Sequence, residues 1–379
     1  MKNKKFIKVI TAIFIIGLAS GIIYEHTSFP PHDMQYLDVE TKRERVYIQD
    51  YQYEDVMRTI AEPYLKGIQQ EGYFKNEQGH MIHYADFNID NPKGNIVMLH
   101  GFNENIIKYY ETIYYFCKEG YSVHMLEQVG HGKSDRLVDD NSLVYVDSFD
   151  EYVESTKLFI DKIVVPAGKG KPLFLYAHSM GGAIGTLFLE RYPTYFNAAI
   201  LSTPMMEINA GTYPAFIAEG VSNVMALTGN GEDYVFGHTP FSDEANFKES
   251  NGDSEVRYNY YFNKRIEDDT LQTTGASFKW TVEAYKATRE LNRKSNIQHV
   301  DTPTIIFVAE NDGMVKPGGI YEYMKYVSDS TSLIYVKDTK HEIYNSKPEI
   351  REAYYDTILD FYNKHISRKT DGHHVVIDD

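Results

Sequence analysis

Short apolar runs recur along this chain, each followed by a polar break and then a stretch with helical spacing. Ile96-Val97-Met98-Leu99, Tyr121 to Leu126, Leu173 to Tyr176, Ala198 to Leu201, Thr304 to Val308 and Leu333 to Val336 are short enough for buried strands. Phe74 and the run Met81 to Phe87 read as two strands joined by the turn Asn76-Glu77-Gln78-Gly79. Helical spacing appears over Tyr51 to Gly67, Phe149 to Val164, Gly318 to Val327 and Arg351 to His365. A further helix can be capped by Asn103, run to about Lys118 and end at Gly120. Strands alternating with helices predict an α/β protein, with a mostly parallel sheet covered by helices on both faces.

The alternation stops at Thr203 and resumes only near Arg293, an interval of about 90 residues and too long for a bare loop. It is expected to be a helical cap inserted after the sixth strand. Within it Tyr213, Phe216, Ile217, Val221, Val224 and Met225 share one helical face. That face either packs the cap onto the sheet or lines an apolar pocket. At the other end, Lys2, Lys4, Lys5 and Lys8 precede an uncharged run from Val9 to Tyr24, the layout of an export signal. Lys8 can snorkel to the interface, so the run can also serve as an uncleaved anchor with the rest of the chain outside the cytoplasm. Release after cleavage near Ala19-Ser20-Gly21 is the alternative. The expected organisation is a signal or membrane anchor over 1–28, a linker over 29–50, core over 51–202, cap over 203–293, core again over 294–366, and a polar tail over 367–379.

Composition narrows the function. A net charge of −16 argues against nucleic-acid partners. The lone cysteine, Cys117, allows neither an internal disulfide nor a cysteine-based metal site, and falls in an apolar stretch that marks it as inert core.

In an open α/β sheet the site lies at the carboxyl ends of the strands. There the run Ala177-His178-Ser179-Met180-Gly181 follows the Leu173 strand and precedes a helical stretch. It fits the strand-turn-helix nucleophile elbow G-x-S-x-G, with Ala177 in place of the first glycine. Its bland reading is a small-residue turn with an incidental serine. A serine hydroxyl needs a base, and the base an orienting acid. In this fold the order is serine, acid, histidine. After the Thr304 strand comes Asp312, the candidate acid, with Glu310 as its rival; after the last strand comes His341, the candidate base. A developing oxyanion needs two donors. The Met180 N–H, directly after the serine, is one; His100-Gly101-Phe102 supplies the other through the Phe102 N–H. The His100 imidazole is expected to prop that loop rather than react.

His100-Gly101-Phe102, Gly130-His131-Gly132 with Ser134, Ala177 to Gly182, Asp312 and His341-Glu342-Ile343 together resemble the α/β-hydrolase branch of lysophospholipases, monoacylglycerol lipases and serine-aminopeptidase-like hydrolases. The resemblance covers roughly Tyr73 to Ile366 and implies an α/β-hydrolase fold, with Ser179 as nucleophile, Asp312 as acid, His341 as base, and Phe102 and Met180 as oxyanion donors. Two departures stand out: Ala177, and Glu127 where aspartate is usual, which is expected to affect loop bracing only.

The expected reaction is two-step hydrolysis of a lipid ester, a lysophospholipid or monoacylglycerol, without metal or organic cofactor. Phe216, Ile217, Val221 and Val224 are the candidate acyl-chain contacts. An aminopeptidase is the rival enzyme; it would need acidic groups for a substrate amine, and Glu207, Glu219 and Glu232 are available. A membrane-tethered binding protein on a dead hydrolase scaffold is the reading from another class.

Overall fold

In the computed structural model, which describes residues 29–41, 44–211 and 213–368, the apolar runs become one nine-stranded sheet. Its strands are β1 (Gln35–Tyr36), β2 (Gln69–Lys75), β3 (Met81–Phe87), β4 (Gly94–Leu99), β5 (Tyr121–Leu126), β6 (Leu173–His178), β7 (Ala198–Ser202), β8 (Thr304–Ala309) and β9 (Thr331–Val336). Across the sheet the order is β1-β9-β8-β7-β6-β4-β5-β3-β2. β3 is antiparallel to β2 and β5, and the other neighbours are parallel. This is the α/β-hydrolase architecture.

The central strands read as unbroken apolar runs because both faces are covered. Successive residues feed opposite cores: Val97, Leu99, Leu175, Ala177, Leu201, Ile306 and Val308 into one, and Ile96, Met98, Phe174, Tyr176, Ile200, Ile305 and Phe307 into the other. The second core is closed by α1 (53–68, with a π turn at Met57–Ala61), α2 (Tyr110–Lys118) and α9 (Pro348–His365). The first is closed by α3 (Asp150–Phe159), α4 (Met180–Arg191), α7 (Phe278–Leu291) and α8 (Gly318–Met324). Much of the tyrosine load lies in the second core, where buried hydroxyls find partners: Tyr176 with Tyr354 (2.9 Å), Tyr355 with Thr112 (2.7 Å), Tyr362 with the Leu175 carbonyl (2.6 Å). Cys117 is buried there too, and burial pushes its thiol up to about 12, which leaves it unreactive.

Several expectations change. The stretch expected as a linker contains β1, a parallel edge strand beside β9, and Tyr47 and Ile48 are buried under α9 and α2. With β1 counted, the cap follows the seventh strand of the sheet. Asn103 has φ +64 and caps nothing; the cap is Asn105, whose side chain accepts the Lys108 N–H and starts a 3-10 turn, Ile106–Tyr109, ahead of α2. Gly120 ends α2 at φ +92. The interval expected as cap divides. α5 (Ala215–Met225) and α6 (Glu255–Glu267) lie outside the sheet layers, whereas α7 packs against α4 and buries Trp280, Ala284, Ala287 and Leu291 in the main core. The candidate export segment at 1–28 and nearly all of the tail lie outside the described residues. Among the described residues no helix is long and apolar enough to cross a membrane.

Candidate active site

β6 delivers Ser179 at the carboxyl edge of the sheet. The chain must reverse from strand to helix within one residue, so Ser179 takes φ +54 and ψ −117. That backbone strain, on the order of 1–3 kcal/mol, is held by hydrogen bonds on both sides. The Ser179 N–H donates to Ser202 O (3.1 Å), and its carbonyl accepts from Ala183 N (3.1 Å) and Met205 N (2.9 Å). Crowding explains the small residues. A Cβ on Gly181 would lie within 2.6 Å of the Leu99 and His100 carbonyls, and one on Gly182 would meet Pro204 at 2.6 Å. Ala177 is tolerated in the usual glycine position because Gly185 faces it; a Cβ there would sit 3.1 Å from that of Ala177.

β8 delivers Asp312 and β9 delivers His341. The Asp312 carboxylate takes His341 Nδ1 at 2.7 Å on one oxygen and the Met314 and Val315 N–H groups at 2.8 and 2.9 Å on the other. Burial opposes ionisation of this carboxyl, but His341 and the two N–H groups bring it below the usual carboxylate range. Glu310, the rival acid, is exposed and instead accepts the Asp338 N–H at 2.9 Å, bracing the loop after β9. The His341 ring lies 4.8 Å from the ring of His178, the residue before Ser179, and its carbonyl accepts the Thr203 hydroxyl at 3.1 Å. Asp312, His341 and the turn that carries Ser179 thus meet at one rim of the sheet.

Met180 opens α4, so its N–H has no intrahelical acceptor. Phe102 follows Gly101 in a turn closed by the Glu104 N–H on the Gly101 carbonyl (3.3 Å), and its ring packs 4.3 Å from Trp280 of α7. His100 props the loop. Its Nε2 accepts the Gln128 N–H at 3.0 Å, so Nδ1 carries the proton and donates to Gly101 O at 2.8 Å. Burial lowers its pKa and favours that neutral form. Glu127 accepts the Ile106 and Lys133 N–H groups and His83 Nδ1 (2.8 Å), bracing the Gly130-His131-Gly132 loop.

The apolar cap face is less enclosed. Phe216 is 53% exposed and Ile217, Val221 and Val224 are half-buried, on a helix that packs along α7. Of the acidic groups available for an amine, Glu219 is bound by Arg289 (2.5 Å), Glu232 is exposed, and Glu207 is half-buried.

Reading the sequence missed Glu104, Lys108, His178 and Tyr344. Glu104 is buried and accepts from Gly101 N (2.6 Å), Tyr109 Oη (2.5 Å), His178 Nδ1 (3.1 Å) and Tyr344 Oη (2.7 Å), with Lys108 Nζ at 3.0 Å. Burial would raise its pKa, but Lys108 and His178 hold it well below the usual range. The available signal was a carboxylate three residues after Gly101, at the closing position of a turn.

A model of the family described as serine aminopeptidase, S33 (Hydrolase_4) matches residues 90–348. Lysophospholipase L2 of Escherichia coli K12 is 28% identical over 301 residues, covering 76% of this chain and 85% of that protein. Monoacylglycerol lipase of Mycolicibacterium smegmatis is 29% identical over 127 residues, covering 34% and 43%. Among solved structures, a soluble variant of monoglyceride lipase from Saccharomyces cerevisiae superposes with a TM-score of 0.64 at 18% identity, covering 80% of this chain and 96% of that one.

Proposed function

The chain belongs to the serine aminopeptidase S33 family of hydrolases, and on that premise we propose that it cleaves lipid esters, a lysophospholipid or a monoacylglycerol, through an acyl-enzyme on Ser179. One observation carries this reading. The 2.7 Å bond between Asp312 and His341 holds an imidazole beside the strained turn that carries Ser179. In the proposed reaction His341 Nε2 takes the Ser179 proton as Oγ bonds to the ester carbonyl carbon. The Phe102 and Met180 N–H groups receive the oxyanion. Collapse expels the alcohol, which takes the proton back from His341. Water then repeats the sequence and releases the fatty acid. Asp312 orients the ring and balances the charge of the imidazolium.

The lipid class is supported by the names of the relatives and by the half-covered apolar face of α5, whose Phe216, Ile217, Val221 and Val224 are proposed to receive the acyl chain. An aminopeptidase is less well supported, because Arg289 already occupies Glu219 and Glu232 faces solvent, so of the three acidic candidates only the half-buried Glu207 would remain to hold a substrate amine. Residues 1–28 are proposed to export the chain and hold it at the membrane, on the strength of the four lysines ahead of the Val9 to Tyr24 run.

A fluorophosphonate probe is expected to label the wild-type chain and to fail on Ser179→Ala, with ester hydrolysis falling by roughly 10⁴-fold or more. Long-chain monoacyl esters should be cleaved faster than acetyl esters, and aminoacyl amides hardly at all. Labelling that survives Ser179→Ala would end the hydrolase reading; faster acetyl-ester turnover would end the lipid one.

A further inference from the structure

We propose that Glu104 is a positioning residue for this reaction, a buried anion that fixes the oxyanion loop, the elbow and the base loop relative to one another. The inference rests on the hydrolase reading above. The three loops come from far apart in the chain, after β4, β6 and β9, and each sends a donor to the same carboxylate. The loop after β4 gives the Gly101 N–H (2.6 Å), adjacent to Phe102. The elbow gives His178 Nδ1 (3.1 Å), adjacent to Ser179. The loop after β9 gives the Tyr344 hydroxyl (2.7 Å), three residues beyond His341. The His178 ring also packs 4.8 Å from the ring of His341.

The local sequence is shaped for this contact. A Cβ on Gly101 would sit 2.6 Å from Glu104 Oε2 and 2.9 Å from His178 Nδ1, so only glycine lets the carboxylate reach the backbone. Lys108 lies 3.0 Å from Glu104 and 2.6 Å from Glu342, and balances part of the negative charge that would otherwise oppose an oxyanion nearby. An ionised carboxylate offers about four lone-pair directions; three of the donors around this one come from the loops whose spacing the chemistry depends on, and Tyr109 and Lys108 of the 3-10 turn supply the others. Preorganised donors act only if they need not move as charge develops.

The experiment compares the full-length wild-type chain with Glu104→Gln, Tyr344→Phe and Asp86→Asn, each titrated with a fluorophosphonate to count active sites. Asp86 is the control, a buried carboxylate on β3 that pairs with His124 (2.7 Å) midway along β5 and belongs to none of the three loops. Turnover of a p-nitrophenyl ester is then expressed per titrated site. Glu104→Gln keeps the shape and removes the charge. Its kcat per site is expected to fall roughly 10- to 100-fold with KM within about 2-fold, the signature of lost transition-state positioning. Tyr344→Phe, which keeps the carboxylate and removes one donor, is expected to lower kcat per site by about 2- to 5-fold, with KM likewise unchanged. Asp86→Asn should lower Tm and leave kcat per site alone. The inference is overturned if Glu104→Gln loses only Tm or active-site count, or if Asp86→Asn slows turnover equally. Should Glu104→Gln fail to fold, an unchanged kcat per site in Tyr344→Phe overturns it. A wild-type chain that does not titrate, or a Ser179→Ala chain that does, would instead sink the hydrolase reading.

Discussion

Single side chains settle questions that spacing leaves open. Asp312 and Glu310 are two residues apart, and both follow β8; only the first meets an imidazole, and the second turns to the backbone of residue 338. Glu190, near the end of α4, is buried, and burial followed by repulsion from Glu290 pushes its carboxyl up to about 9. A folded pKa above the unfolded value means that the folded chain holds the extra proton between about 4.5 and 9. Its stabilising share is therefore intact below about 4.5 and is lost as pH rises towards 9. Glu190→Gln should remove that slope, gaining on the wild type by on the order of 1 kcal/mol per pH unit over the window. Denaturant unfolding from pH 5 to 9 checks it, and parallel curves for the two chains would refute it.

Among the elements, α6 has an unusual attachment. Arg257 of this helix is buried, donates to both oxygens of Glu111 on α2 (2.8 and 2.7 Å), reaches Asp50 and the Ile48 carbonyl, and lies 4.2 Å over the Tyr53 ring. One guanidinium therefore ties the cap to the segment that precedes α1. Its five donors suit such a junction, where a lysine would satisfy fewer acceptors. Arg257→Met leaves Glu111 buried without its partner, and we expect a loss of roughly 3 kcal/mol. Adding Glu111→Gln to that variant should recover part of it, because the uncompensated charge is gone. Thermal unfolding of the wild type, Arg257→Met, Glu111→Gln and the double variant tests this; additive losses would show that the pair is not coupled. α7 illustrates a different point: its apolar face matches α4, which draws it out of the cap and into the main core.

At the scale of the whole molecule, two cores on opposite faces of one sheet leave the carboxyl edge free for the three loops that carry Ser179, Asp312 and His341. The segment before α1 runs along this body through β1 and the contacts of Tyr47, Ile48 and Asp50, so a truncation that extends through residues 29–50 should destabilise the rest. Fractionation of cells carrying the full chain is expected to find it with the membrane, extracted by detergent but not by high salt. Recovery of uncleaved chain in the soluble cytoplasmic fraction would refute the anchor.

Strand and helix order, the α/β class, the elbow and the places of Asp312 and His341 after their strands were legible in the sequence, because apolar periodicity and strand-end spacing are local properties of the chain. The sequence alone could not reveal that residues 29–50 add an edge strand, that α7 joins the core, or that Glu104 collects donors from loops whose members stand up to 240 residues apart. Those outcomes depend on which surfaces meet once the sheet is assembled. A buried carboxylate looks like any surface carboxylate until its partners arrive from elsewhere in the chain.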